Sequence, residues 1–127
     1  VLLKVAPDLD DEDIESIAAQ LVMSELEGLI ATNTTLERGA VERHVHGQEA
    51  GGLSGAPLTL KSAEVVKKFR IKLPANMPIV GVGGISDPES AQAMLAAGAD
   101  VLQIYSSFIY KGPNLVQKLV AGTSKIS

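Results

Sequence analysis

MPIVGVGGISDPESAQAMLAAGADVLQIYS, residues 77–106, decides the fold. MPIV opens an apolar strand that runs into Gly81-Val82-Gly83-Gly84. ISDPES then carries a helix start, with Ser86 or Asp87 as N-cap and Pro88 just inside. Ser86 and Glu89 also stand at capping-box spacing. SAQAMLAA is the helix, Gly98 is the C′ residue that stops it, and VLQIYS is the next strand. Strand, helix and strand in so short a span pair in parallel through a crossover.

The same alternation extends outward. VLLKVA at 1–6 reads as a strand ended by Pro7. The acids of DLDDED suit a helix N-terminus, and Ile14, Ile17, Ala18 and Leu21 repeat with helical spacing, predicting a helix from Asp11 to Ser24. Gly28 introduces the strand GLIATN. Residues 36–56 are polar and Gly-rich without a period, and a connection of this length is often functional. From Pro57 a helix places Ala63, Val66 and Phe69 on one face, with Lys67, Lys68, Arg70 and Lys72 near its C-terminal end. KGPN at 111–114 breaks the chain, and a last helix begins over Leu115–Val120.

The order β-α-β-loop-α-β-α-β-α predicts an α/β fold with a parallel sheet. Four βα units are half of an eight-unit (β/α)8 TIM barrel, or a small open doubly wound sheet. The unequal βα loops favour the barrel, whose sites are built at the C-terminal ends of its strands.

Composition agrees. Of 127 residues, 46% are hydrophobic and only 3% aromatic, so Ala, Val, Ile and Leu must build the core, as suits buried parallel strands. The net charge of −4 and the lack of a basic tract argue against nucleic-acid binding. Without cysteine there is no disulfide framework and no thiolate chemistry. The chain opens inside an apolar run without Met, which reads as a piece of a longer protein.

The strand ends carry the candidate chemistry. They hold Lys4, then Thr32-Asn33-Thr34-Thr35, then the glycines 81, 83 and 84, then Tyr105-Ser106-Ser107. In a parallel sheet these ends share one rim. Gly81-Val82-Gly83-Gly84 before a capped helix suits a phosphate, because glycines permit close approach and a helix N-terminus supplies N–H groups. A ligand-free tight turn is the rival reading. Lys4 within a strand is either a fixed cation facing a ligand or an exposed edge position, and spacing leaves both open. Gly51-Gly52-Leu53-Ser54-Gly55 is either an anion-binding concavity or flexible loop. His44 and His46 lack a third ligand at metal spacing, and Asp8 to Glu15 lacks the glycine and spacing of a calcium loop, so an exposed loop and a solvated helix start are expected there.

Taken together these motifs resemble class 2 dihydroorotate dehydrogenase. The resemblance rests on LLKVAPDL at 2–9, ATNTT at 31–35, GGLSGAPL at 51–58, GVGGISD at 81–87 and QIYSSFIYKGP at 103–113, in order and across the whole chain. It implies an FMN-binding TIM barrel of which residues 1–127 are the C-terminal half, strands five to eight, without the N-terminal half and the membrane-associating helices. It further implies FMN contacts at Lys4, Thr32, Ser54, Gly55, Gly83, Gly84, Tyr105 and Ser106, and contacts to dihydroorotate or orotate at Asn33 and Thr34. The implied reaction oxidises dihydroorotate to orotate in pyrimidine synthesis, with a quinone reoxidising FMN through the missing N-terminal part. The proton-accepting base of the family is an upstream Ser, so no catalytic base is expected in this chain, and the isolated piece is expected to be inactive. The parent would sit peripherally on a bacterial or mitochondrial inner membrane. Two other readings stand beside this one: another FMN barrel, such as a class 1 enzyme or a dihydropyrimidine dehydrogenase domain, and a non-catalytic half-barrel. A half-barrel exposes two sheet edges and an apolar interior, so self-association is expected.

Overall fold

The computed structural model describes residues 1–124. Four strands, β1 (Leu2–Val5), β2 (Gly28–Ala31), β3 (Ile79–Val82) and β4 (Val101–Gln103), form one parallel sheet in the order β1-β2-β3-β4. Five helices accompany it: α1 (Asp11–Met23), α2 (Thr59–Lys72), α3 (Pro88–Ala96), α4 (Ser106–Lys111) and α5 (Asn114–Thr123).

The register sets which side chains share a face. Leu3, Leu29 and Ile79 lie side by side, as do Val5, Ala31, Gly81 and Leu102. These residues join one core with Ile14, Ala18 and Leu21 of α1, Val65, Val66 and Phe69 of α2, Met94 of α3, and Leu115 and Leu119 of α5. Fully burying each large side chain in such a core contributes about 1.5–3 kcal/mol. Because side chains alternate along a strand, the opposite face carries Leu2, Lys4, Ile30, Val80, Val82, Val101 and Gln103, and of these side chains only Val82 is buried. The core helices thus cover a single face, and strand order follows chain order without reversal. A doubly wound sheet has helices on both faces and a reversal of strand order. The chain is therefore one half of a TIM-type barrel, with the barrel's inner face open. The strands are not buried on both faces as the composition suggested.

Gly81 illustrates what the close helix packing requires. A Cβ there would lie 2.5 Å from Met94 Cγ and 2.8 Å from Ala99 Cβ. Its smallness serves the approach of α3 to β3, on the side away from the open face.

Local signals were read with mixed success. Asp10 caps α1, accepting from the Asp13 N–H at 2.8 Å, and the helix stops at Met23 with Ser24 as C-cap. Asp87, not Ser86, caps α3, and its capping-box partner is Ser90 rather than Glu89. With Asp87 as N-cap the third helical position falls on Ser90. A 3₁₀ turn at Ala56–Leu58 precedes α2, which starts at Thr59 rather than Pro57. β4 ends at Gln103, short of the VLQIYS expected from the sequence, and Ser106–Lys111, where the sequence shows no helix, form a short helix.

Candidate functional site

The four strand ends converge on one cleft of about 530 Å³. Its lining includes the ten residues that the motif resemblance implies as contacts: Lys4, Thr32, Asn33, Thr34, Ser54, Gly55, Gly83, Gly84, Tyr105 and Ser106. Gly81 is not among the lining residues.

The Thr32-Asn33-Thr34-Thr35 run divides by orientation. Thr32 and Thr35 are buried at 2% and 4% exposure, whereas Asn33 and Thr34 are exposed. The Thr32 N–H donates to Val82 O at 2.8 Å and the Asn33 N–H to Val5 O at 2.7 Å, continuing the sheet hydrogen bonding past β2. The Thr32 hydroxyl is 2.7 Å from the buried Ser62 hydroxyl and donates to Asn33 O at 2.9 Å. Thr32 therefore spends its hydroxyl on protein partners while standing at the cleft wall. Asn33 Oδ1 accepts from the Thr34 N–H at 3.0 Å, and among the described residues the Asn33 amide nitrogen and the Thr34 hydroxyl have no hydrogen-bond partner, while both residues line the cleft.

Gly83 and Gly84 turn the chain at φ +126° and +69°, values that favour glycine. The close approach they permit is to α2: a Cβ on Gly83 would lie 2.2 Å from Ser62 Oγ, and one on Gly84 2.2 Å from Thr59 Oγ1 and 2.5 Å from Thr59 N. The Thr59 hydroxyl also donates to Gly84 O at 2.7 Å. The sequence reading assigned this closeness to a phosphate; in the structure protein atoms occupy that side. The N-terminus of α3 is likewise closed by its own Asp87, whose carboxyl is held below its usual range by hydrogen bonds from Ser90, with Lys111 adding to the effect. What the turn does offer is donors. Among the described residues the N–H groups of Gly83 and Gly84, and of Ser106 and Ser107 across the cleft, have no protein acceptor.

Lys4 stands exposed on the open sheet face and, among the described residues, has no ion-pair partner. The two readings of this residue are compatible: it occupies an edge strand and also lines the cleft. Ser54 joins its loop to β4's end through a 2.7 Å hydroxyl pair with Ser106, and Gly55 has φ +84°. That loop is not loose: Thr35 and Leu53 form an antiparallel bridge.

Lys111, a lining residue, was given no role from the sequence: its Nζ donates to Ser86 O at 2.7 Å beside the cleft. Ser107, at the strand end already singled out, donates its Oγ to Ile85 O at 2.5 Å. The only trace of Lys111 in the sequence is a cation one helical turn beyond Ser107. Ser62, which touches both Thr32 and the Gly83 turn, left no signal, because it belongs to the apolar face of α2. With Lys111 counted, the lining carries two lysines and no carboxylate, on a chain of net charge −4. Two cations and four unpaired N–H groups define a site for an anionic ligand with an extended polar edge.

This is a half-barrel whose strand ends carry two lysines and unpaired N–H groups, at the rim where barrels with phosphate ligands commonly place their sites. The family model described as Dihydroorotate dehydrogenase matches residues 1–126. The chain belongs to the dihydroorotate dehydrogenase family. Three curated relatives named Dihydroorotate dehydrogenase (quinone) are similar to it. That of Vibrio vulnificus is 52% identical over 118 residues, covering 93% of this chain and 35% of the relative. That of Marinobacter nauticus is 49% identical over 125 residues, covering 98% and 37%. That of Aliivibrio salmonicida is 48% identical over 120 residues, covering 94% and 36%. The crystal structure of DHODH from Eimeria tenella in complex with ferulenol superposes with a TM-score of 0.91 at 35% identity, over 98% of this chain and 33% of that one. The chain thus spans about a third of the length of the curated relatives it matches. No helix among the described residues is long and apolar enough to cross a membrane.

Proposed function

We propose that this chain supplies the C-terminal half, strands five to eight, of an FMN-dependent dihydroorotate dehydrogenase that passes electrons to a quinone. The observation that carries the reading is the cleft: ten residues expected from the motif resemblance line it together, with two cations and no carboxylate among the described lining residues.

The donor set fits FMN. The unpaired N–H groups of Gly83, Gly84, Ser106 and Ser107, with Lys111 beside them, suit the phosphate. Lys4, Thr32, Ser54, Gly55 and Tyr105 would hold the rest of the cofactor. FMN, when bound, supplies the two-electron acceptance that dihydroorotate oxidation needs. The chain's own residues bind and orient. Asn33 and Thr34 present an amide nitrogen and a hydroxyl suited to the polar edge of dihydroorotate or orotate. The Lys4 ammonium stabilises negative charge developing beside it, an effect strengthened where water is excluded. The proton acceptor, an upstream Ser in the family the motifs resemble, is assigned to a part of the barrel outside this chain. The quinone path and the peripheral membrane attachment are likewise assigned to that remaining part.

The test is a chimera in which this chain replaces the matching segment of the Vibrio vulnificus relative. Dihydroorotate-dependent quinone reduction is expected, with Lys4→Ala and Asn33→Ala each losing at least tenfold in kcat/KM. A folded chimera that retains flavin and shows no turnover overturns the proposal. The isolated chain is expected to form no orotate with added FMN and quinone.

The uncovered sheet face favours a second property of the isolated chain, pairing with another copy. β1 and β4 are both unpaired edges, and Leu2 and Val101 are exposed on the open face at 39% and 55%. A dimer or larger is expected at micromolar concentration, and a monomeric mass by light scattering contradicts it.

A further inference from the structure

The acidic residue that follows the first strand has no part in the helix it precedes. Asp10 is the N-cap of α1, and Asp8 lies apart from that cap. The Asp8 carboxylate instead accepts from Thr35 Oγ1 at 2.5 Å, from the Leu36 N–H at 2.9 Å and from Lys61 Nζ at 2.6 Å. Lys61 comes from α2 and bonds Glu37 as well, at 2.6 Å. Asp8 and Lys61 are both about three-quarters buried, at 26% and 27% side-chain exposure.

Thr35, the central partner, is where the loops meet. Its N–H donates to Leu53 O at 3.1 Å and its carbonyl accepts from the Leu53 N–H at 2.8 Å. Its hydroxyl also accepts from the Glu37 N–H at 3.1 Å. The residue before Leu53 is fitted under the residue before Thr35: a Cβ on Gly52 would sit 1.7 Å from Thr34 Oγ1. One buried threonine thus ties the segment bearing Asn33 and Thr34 to the loop bearing Ser54 and Gly55, and one carboxylate ties that threonine to β1 and α2.

We propose that Asp8 is a positioning residue that sets both cleft loops through Thr35. It touches no cleft ligand itself. It fixes where the Asn33 amide and Thr34 hydroxyl stand, and where the Ser54–Gly55 turn closes the opposite side. The inference concerns the same cleft and rests, for its functional consequence, on the reading above; its structural consequence stands apart from it.

The experiment has two arms. In the 127-residue chain, amide hydrogen exchange is compared between wild type, Asp8→Ala, Asp8→Asn and Thr35→Val. Exchange at Asn33–Leu36 and at Leu53, the hydrogen-bonded amide of the Gly52–Gly55 turn, is expected to rise at least tenfold in Asp8→Ala and Thr35→Val, and less in Asp8→Asn, which keeps one acceptor oxygen. Exchange at Ala91–Ala96, hydrogen-bonded within α3, serves as reference and is expected to stay unchanged. If Asp8→Ala fails to fold, Asp8→Asn and Thr35→Val carry the comparison. Equal exchange at both loops in all folded variants overturns the proposal, as does a uniform rise that includes the reference helix. In the second arm, orotate affinity of the chimera is read by titration, with flavin content measured alongside. Asp8→Ala is expected to weaken orotate at least tenfold in the flavin-loaded fraction, and unchanged affinity overturns the functional consequence. A wild-type chimera that binds no orotate defeats the assigned function, and the exchange arm still decides the positioning role.

Discussion

Alanine at Gly84 probes the closed side of the strand-end turn. Gly84 has φ +69°, where an L-residue meets a penalty of about 1–2 kcal/mol. The new Cβ also falls 2.2 Å from Thr59 Oγ1, 2.5 Å from Thr59 N and 2.6 Å from Thr59 Cα. The hydroxyl can rotate away, but the backbone atoms cannot move without shifting the start of α2. Overpacking of this kind costs about 1–3 kcal/mol more. Gly84→Ala should thus lose about 2–5 kcal/mol relative to wild type. Urea unfolding of the two proteins at one concentration reads this as a fall of roughly 1–2 M in midpoint, given a slope of about 1–3 kcal/mol per M. A loss no larger than the conformational penalty alone would refute the claim that the strand-end turn is closed against α2.

At the opposite end of the sheet, Arg70 donates to Gly98 O at 3.0 Å, Pro74 O at 3.2 Å, Met77 O at 3.0 Å and Asp100 Oδ2 at 2.8 Å. Arg70→Leu should cost about 3 kcal/mol by stranding these partly buried acceptors, measured by chemical denaturation with cleft-ligand affinity as a control that stays level. A pH effect is expected from Asp8. Burial opposes its ionisation, but hydrogen bonds from Lys61, Thr35 and the Leu36 N–H outweigh this and hold its carboxyl below the ordinary value of about 3.9. The sign follows: its stabilisation is complete above that value and is lost as pH falls through the lower folded-state value. Unfolding midpoints measured down this range should fall more steeply for wild type than for Asp8→Asn, and parallel curves would contradict the assignment.

Most of the architecture could be read from periodicity and punctuation. The helical spacing of Ile14, Ile17, Ala18 and Leu21, and the Gly98 stop, correspond to α1 and to the end of α3. The missed elements share a physical cause. SSFIYK combines hydroxyl, aromatic and β-branched residues that suit a strand, and it becomes α4 through tertiary placement rather than propensity. Ser86 and Asp87 are both good caps, and only the position of Ser90 distinguishes them. At the site, the strand-end residues were legible because parallel topology brings strand ends together. Gly81 was misread because a glycine that admits a neighbouring helix looks the same as one that admits a phosphate. The Asp8–Thr35–Lys61 cluster and the Thr32–Ser62 pair join residues far apart in the chain, and no local pattern announces such pairs.

The central claim is that one cleft holds a flavin phosphate near Gly83–Gly84 and a pyrimidine at Asn33–Thr34. Flavin absorbance of the chimera during orotate titration tests it most directly. Orotate should perturb the flavin band in the wild-type chimera, and Asn33→Ala should remove the perturbation while the flavin stays bound. An Asn33→Ala chimera that responds to orotate with wild-type affinity would contradict the account.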